Sequence, residues 1–350
     1  MGKVTMSDIA KRAGVSKTAV SFAFNDPSRL SEATLRGIMD MATELGYTRD
    51  PVARMLSTRQ TNSLGLLLPQ ELPRALANPY YAQFMRGIGQ ICHREGLTLL
   101  LVPPLRGSML KAIPYAAVDG FIVCGLEIDR GEVKALQQRG VPFVLVDSET
   151  SPGIPSIDID DQGGARALME HILNHGHRRI ALLPFESGAG GDIGAYRGTL
   201  ARRMVGYREA LIAAGLSMDD PRITVQEVIC TRQGGYEAFR GFQGRDAPPT
   251  AIVALSDIIA IGVLDAAREM GVHVPDEISV AGFDDQPEAC WVRPALTTVY
   301  QPIEAKGRVA GEMLVAALRE EGGPLQRTLH TTLMVRESVG PALGRPNANS

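Results

Sequence analysis

Residues 5–25 read TMSDIAKRAGVSKTAVSFAFN, and this stretch decides the character of the first sixty residues. Thr5 followed three positions later by Asp8 has the form of a capping box, which ties off the first N–H groups of a short helix. Ile9, Ala10 and Ala13 then fall on one face at helical spacing. Gly14 interrupts, and Ser16 is placed to cap a second helix over Lys17–Asn25. Two short helices joined by a tight, glycine-containing turn make a helix-turn-helix pattern. A third helix is predicted from Ser31, with Leu35, Ile38, Met39, Ala42 and Leu45 on one stripe and Gly46 as its stop. Gly37 inside it costs roughly 1 kcal/mol against alanine, so fraying is expected there.

In such a unit the second helix enters the DNA major groove with its N-terminal residues facing the bases. Lys17, Thr18 and Ser21 stand there: a lysine can donate to guanine O6 and N7, and a threonine offers a hydroxyl and a methyl. Lys11 and Arg12 are placed to meet phosphates, which position a protein without reading sequence. The competing reading makes all of these solvated side chains of an ordinary helical hairpin.

Outward along the chain, residues 48–57 read TRDPVARMLS. Asp50 suits an N-cap and Pro51 the first helical position, and Val52, Ala53 and Leu56 share a face. Nucleating so short a helix is costly in water. It is expected to be disordered in the free protein and to fold against its symmetry mate and a DNA minor groove, with Leu56 as the wedge between base steps.

Bulk properties agree with a division of labour. The net charge of the 350-residue chain is −3, yet residues 1–60 hold nine Lys/Arg against six Asp/Glu, and the remainder 27 against 33. A basic head on an acidic body means that only the head meets a polyanion. Cys92, Cys124, Cys230 and Cys290 lie far apart with no CxxC, which favours reduced thiols over a disulfide framework or zinc site. No apolar leader opens the sequence and no long apolar run follows, so a cytoplasmic protein without a membrane partner is expected.

From residue 62 to 338 short apolar runs alternate with amphipathic stretches. Strands are predicted at 64–68, 98–102, 120–124, 143–147, 180–183, 252–255 and 279–283, and helices at 80–95, 162–175, 199–214 and 257–270. Alternation of this kind means parallel sheets wrapped by helices, and the run is long enough for two. Ligands bind beyond the carboxyl ends of such strands. The runs end in Asp147, Asp160, Ser256-Asp257 and Asp284-Asp285, so two facing sheets would enclose a polar cleft.

Taken in order, VTMSDIAKRAGVSKTAVSFAFN (4–25), SEATLRGIMDMATELGY (31–47) and DPVARMLS (50–57) resemble the headpiece and hinge helix of the LacI/GalR family. The resemblance continues through VDGFIV (118–123), GHRRIALL (176–183), ALSDIIAIGVL (254–264), PDEISVAGFDD (275–285) and PALTTVYQP (294–302). It implies an α/β chain with a three-helix helix-turn-helix headpiece and hinge helix, followed by a two-lobed core of parallel sheets resembling periplasmic binding proteins. The implied divisions are a headpiece over 1–49, a hinge over 50–61, an N-terminal lobe from 62–161 with 291–320, a C-terminal lobe from 162–290 with 321–340, and a tail over 341–350. Three crossovers are placed near 161, 290 and 321. DNA contacts are implied at Thr5, Ser16, Lys17, Thr18, Ser21, Phe22, Asn25, Ala53 and Leu56. For a small-molecule effector, Arg203 in RMVGY falls at the family's arginine, Asp160 and Asp284 at facing carboxylates, and Tyr80 and Tyr236 at aromatic positions. Asp147, Ser256 and Asp257 at strand ends complete that set. Three departures stand out: Phe22 replaces a polar or basic residue, Ser256 replaces an asparagine, and residues 103–118 are short for the family's helix.

Other motifs have plainer readings. Residues 188–194 imitate a dinucleotide loop but lack the acidic residue that should follow, so they read as a flexible loop. His171, His175 and His177 lack the further ligands that a metal needs. The adjacent pairs Asp160-Asp161 and Asp284-Asp285 would each turn one carboxylate to the cleft, without any nucleophile and base to make an enzyme. Trp291, the sole tryptophan, is open to either packing or ligand contact. Residues 341–350 hold no heptad, so no tetramerising coiled coil is expected. The expectation is a homodimeric repressor without cofactor or metal, binding a near-palindromic operator under control of a sugar or nucleobase-like effector. A cytoplasmic solute-binding protein and a carbohydrate-metabolism enzyme are the alternatives.

Overall fold

The computed structural model describes residues 4–48, 50–125, 131–149, 152–187 and 192–342; the side chains of Pro51, Ala53, Arg54 and Ser57 lie outside the description, as do residues 343–350 of the expected tail. The chain divides into two compact units, Met1–Thr61 and Asn62–Ser350.

In the first unit α1 (Met6–Ala13) and α2 (Lys17–Asn25) meet at Gly14, whose φ of 66° is the left-handed geometry that glycine adopts without penalty. Asp8 accepts from the Thr5 backbone N–H at 2.9 Å, and Ser16 Oγ from Ala19 N at 3.0 Å, so both predicted caps form. α3 (Glu32–Glu44) runs uninterrupted through Gly37, with Ser31 accepting from Thr34 N. The core is small: Ile9, Ala10, Val20, Ala23, Ile38 and Ala42 are buried, with Leu35, Leu45 and Tyr47 packed around them. The segment expected to take shape only against a partner is already helical as α4 (Pro51–Thr58), its start held by Asp50 Oδ1 accepting from Val52 N at 3.0 Å.

The second unit contains two six-stranded sheets. Its elements in chain order are β1 (Ser63–Leu67), α5 (Leu72–Ala77), α6 (Pro79–Glu95), β2 (Thr98–Val102), α7 (Met109–Ala112), β3 (Gly120–Cys124), α8 (Glu132–Arg139), β4 (Phe143–Val146) and β5 (Ser156–Ile159). There follow α9 (Asp161–Asn174), β6 (Ile180–Leu183), α10 (Gly198–Ala213), β7 (Ile223–Val225), α11 (Arg232–Phe242), β8 (Ala251–Ala254), α12 (Asp257–Glu269) and β9 (Ser279–Asp284). The chain closes with α13 (Glu288–Trp291), β10 (Thr297–Tyr300), α14 (Ile303–Leu318), β11 (Gln326–Leu329) and β12 (Thr332–Met334). The first sheet has the order β11-β5-β4-β3-β1-β2 and is wholly parallel. The second, β12-β10-β9-β8-β6-β7, is parallel except for β12.

The central strands are buried along their length, as parallel strands covered on both faces must be. Helices pair tightly over them. At the α11–α12 crossing a Cβ on Gly235 would stand 1.9 Å from Ile259 O, and one on Gly262 1.8 Å from Arg232 O, so only glycine permits that approach.

The expected lobe boundaries need correction. β10 belongs to the second sheet, α14 packs on the first beside α6, and β11 and β12 join the first and second sheets respectively. The first crossing falls near 160, close to the expected 161, while the other two fall near 301 and 330 and not near 290 and 321. The cause is the polar character of the late strands: β11 and β12 are short and largely unburied, so no apolar run announces them. In place of a longer helix, residues 103–118 hold only the four-residue α7 and a following 3-10 turn.

Candidate functional site

The surface of the first unit is arranged around α2. Lys17, Thr18 and Asn25 are exposed, and Ser21 and Phe22 half-buried. Ser16 Oγ is engaged in capping, and Asn25 Nδ2 donates to Ser21 Oγ at 3.2 Å, which fixes the outward face of the helix. Phe22 lies beneath the Arg29 guanidinium, 5.0 Å from its ring centroid, so its role includes packing. Thr5 is spent on the capping box, its hydroxyl donating to Asp8. Arg12, a proposed phosphate contact, is tied to Glu44 at 3.1 Å on the surface. On α4, Val52 and Leu56 are 60% and 75% exposed, an apolar pair that the described residues of this unit leave open. Ala53 belongs to that helix, but its side chain lies outside the description.

In the second unit a cavity of about 510 Å³ opens where the carboxyl ends of the two sheets converge. Five of the eight predicted effector residues line it: Tyr80, Asp147, Arg203, Ser256 and Asp284. Asp147 follows β4 with a φ of 52°, and Asp284 ends β9 with a φ of 131°. Side-chain residues rarely adopt such backbone, and strain of this kind collects at functional sites. Here it aims one carboxylate from each sheet into the same space.

Each charge is held from behind. Arg203, buried on α10, donates from Nε to Asp161 Oδ1 at 2.9 Å and from Nη1 to Leu255 O at 2.6 Å, and its guanidinium carbon lies 3.5 Å from the Phe283 ring centroid. Asp284 accepts from Ser256 Oγ at 2.7 Å, Gln301 Nε2 at 2.6 Å and Gln286 Nε2 at 3.3 Å. Burial raises its carboxyl above the ordinary range, while Arg203, Ser256 and Gln301 pull it back. Asp147 accepts from the Tyr80 hydroxyl and from Lys306 Nζ. Burial works to raise it too, yet Lys306 and Tyr80 outweigh burial and leave it below its usual value. Across the mouth, Arg74 on α5 pairs with Glu186 beyond β6.

Three predicted effector residues lie elsewhere. Asp160 caps α9 by accepting from Gly163 N at 2.9 Å, and it faces solvent rather than the cavity. Its neighbour Asp161, the helix's first residue, is the buried partner of Arg203. Asp257 stands behind the wall, accepting from Thr298 Oγ1 and from Gln286 N, and burial pushes its carboxyl far up. Tyr236 sits on α11 against the helix layer, with Arg240 over its ring and Glu269 as its hydrogen-bond partner, away from the cavity. The family resemblance had implied a place at the cleft; the cavity takes Cys230, just before the helix, instead.

The sequence reading missed Asn78, Gln301 and Lys306. Asn78 lines the cavity and accepts from Gln286 Nε2 at 3.2 Å, joining the start of α6 to the loop after β9. Gln301 was legible in PALTTVYQP as a motif, but not as a lining residue. Lysine on an apolar helix face carries no sequence signal of a buried ion pair.

The decoys resolve plainly. His177 bridges Thr250 Oγ1 and Gly340 O, the rings of His171 and His175 lie 4.4 Å apart, and among the described residues no group of three metal-binding side chains occurs. Residues 188–191 of the glycine-rich loop lie outside the description. Asp285 pairs with Arg336 at 2.6 Å. Trp291, open to either packing or ligand contact, ends the short α13, is 71% exposed and is not among the residues that line the cavity.

Comparison with known proteins bears on both units. Residues 5–50 match the bacterial regulatory proteins of the lacI family, and residues 169–339 the periplasmic binding protein-like domain. An HTH-type transcriptional regulator of Mycolicibacterium smegmatis is 35% identical to the chain, covering 97% of each protein. The chain belongs to the LacI family. Its relatives include the HTH-type transcriptional regulator CelR of Thermobifida fusca, 32% identical over 95% of this chain and 98% of CelR. A solved CelR–cellobiose complex superposes with a TM-score of 0.69 at 29% identity, covering 96% of this chain and all of that one. The Lac repressor dimer bound to operator and an anti-inducer superposes at 0.80 over 97% of this chain and all of that one, with 24% identity, and speaks to the fold alone. This LacI-family protein is accordingly a transcription regulator with a helix-turn-helix unit and a two-sheet α/β core. Among the described residues no helix is long and apolar enough to cross a membrane.

Proposed function

We propose that this LacI-family regulator is a cytoplasmic, homodimeric repressor, without catalytic activity, whose hold on a near-palindromic operator is set by a small molecule in the cavity. The observation that carries the reading is the convergence of Asp147, Asp284 and Arg203 on one enclosed space between two sheets. Carboxylates and a guanidinium fix hydroxyl or amide groups directionally, and Tyr80 offers a ring edge, which suits a sugar or nucleobase-like ligand. Arg203 and Asp284 belong to the second sheet's half and Asp147 to the first, so a ligand bound to all three favours one angle between the halves. Operator affinity then changes by no more than the ligand's differential binding to the two angles.

At the DNA, Lys17, Thr18, Ser21, Phe22 and Asn25 face the major groove, with Ser16 at the phosphates and Thr5 joining it there by exchanging its hydroxyl bond to Asp8 for one to a phosphate. Paired α4 helices present Ala53 and Leu56 to the minor groove. For the lobes we propose 62–160 with 302–329 and 161–301 with 331–340.

The test combines two measurements on the full chain. A thermal-shift screen of cellobiose, other sugars, sugar phosphates and nucleobases seeks a ligand, and gel shifts at fixed salt then follow operator binding with and without it. A compound that raises the melting temperature and alters operator affinity supports the reading. A protein that retains no genomic fragment at low ionic strength, with or without such compounds, defeats it.

A further inference from the structure

Lys306 stands directly behind the Asp147 side of the cavity, and the function above leaves it without a role. It is wholly buried on α14, a helix whose inner face otherwise carries Val309, Ala310 and Leu314 in one apolar cluster with Phe84. An ammonium among such groups is costly unless it is paired and fully hydrogen-bonded. It is both: Nζ lies 2.8 and 2.7 Å from the two oxygens of Asp147 and 2.7 Å from Gln301 Oε1. The Tyr80 ring centroid lies 5.2 Å away, and the Tyr80 hydroxyl completes the shell of the same carboxylate. Gln301 in turn donates to Asp284 at 2.6 Å, so one lysine orients the carboxylates contributed by both sheets.

The consequence concerns charge. Asp147 reaches the cavity already matched by an ammonium that no ligand touches, because Lys306 stands behind the wall. Two further lining ions are paired as well, Arg74 with Glu186 and Arg203 with Asp161. On the Asp147 side the wall therefore offers polar acceptors without an uncompensated charge for a ligand to neutralise.

Resting on the reading of the cavity as an effector site, we propose that Lys306 is a positioning residue that sets the ligand's charge class, making the Asp147 wall accept an uncharged hydroxyl-rich molecule and reject an amine. Without the lysine, Asp147 is a buried carboxylate seeking a cation. Without the carboxylate, Lys306 is a buried cation seeking an anion. The pair therefore makes opposite predictions for its two halves, which a purely structural role does not.

The experiment measures binding of glucose, glucosamine and glucuronate to the full-length protein, by saturation-transfer NMR and calorimetry at a pH where the amine is protonated. The wild type is expected to prefer glucose. Lys306→Met is expected to move the preference toward glucosamine by about tenfold or more, and Asp147→Asn toward glucuronate by a similar factor. The double variant should return to the neutral sugar. Preferences within about twofold of wild type in both single variants, or a uniform loss of all three sugars, overturn the proposal while leaving the cavity reading intact. Should Lys306→Met fail to fold, Asp147→Asn and the double variant decide the matter on the same criterion. A wild type that binds none of the three overturns this proposal, whereas the cavity reading falls only if no compound of the screen above stabilises the protein.

Discussion

Arg202 on α10 lies 3.0 Å from Asp158 on β5, which ties a helix of the second sheet's half to a strand of the first. The same guanidinium reaches Asp161 at 2.9 Å and Ser148 O at 3.2 Å, so it spans the junction through which the chain passes between sheets.

The junction should be sensitive to pH. Burial pushes the Asp158 carboxyl up to about 6, with Arg202 pulling it back only in part. A carboxyl whose folded value is raised holds its proton longer in the folded state, so its contribution to stability is greatest below about pH 4 and is lost as pH rises through 6. Asp158→Asn removes that titration. The difference in urea-unfolding free energy, wild type minus variant, is expected to fall by on the order of 3 kcal/mol between pH 4 and pH 7. A difference that stays level across that range would mean the pair with Arg202 dominates burial.

Leu56 makes a separate prediction at the DNA. Its exposure on α4 has no structural benefit within its own unit, so Leu56→Ala should leave the melting temperature nearly unchanged. Specific operator binding should weaken by about 1–3 kcal/mol, and nonspecific binding far less, in gel shifts at one salt concentration. Equal losses for both would rule out the wedge.

The helix bearing that leucine is eight residues long, Pro51–Thr58, and its capping by Asp50 provides one favourable contact against a costly nucleation. Amide exchange in the full-length protein should therefore find residues 51–58 weakly protected without DNA and strongly protected with operator. Protection that DNA does not change would show that α4 is stable by itself.

Arg203 is held in the cavity wall by two hydrogen bonds and the Phe283 ring. Arg203→Met strands Leu255 O and leaves Asp161 to Arg202 alone, so a loss of about 3–5 kcal/mol in stability is expected. Ligand-induced stabilisation should vanish as well. Arg203→Lys should recover part of the stability and little of the ligand response, since an ammonium cannot reproduce the planar fork or lie flat on Phe283.

Much of this was readable from residue patterns because the relevant physics is local. The caps at Thr5, Ser16 and Ser31 and the buried runs of β1, β3 and β6 depend on neighbours within a few positions. What escaped depends on partners distant in sequence. Asp160 and Asp161 look alike in a list, yet the cap position claims one and Arg203, 42 residues on, claims the other. Lys306 and Asp147 are 159 residues apart, and nothing in either segment foretells the pair. The polar edge strands β11 and β12 were hidden because strands at a sheet's edge need no apolar run.

The three passages of the chain between sheets have a consequence for biogenesis. β11 closes an edge of the first sheet, and β10 and β12 complete the second, so neither half is encoded by an unbroken stretch of gene. A ribosome that has released residue 290 has delivered the middle of both halves and the finish of neither. Maturation of the core must therefore wait for residues 326–334, while the DNA-reading unit, finished by Thr61, is ready long before the part that governs it.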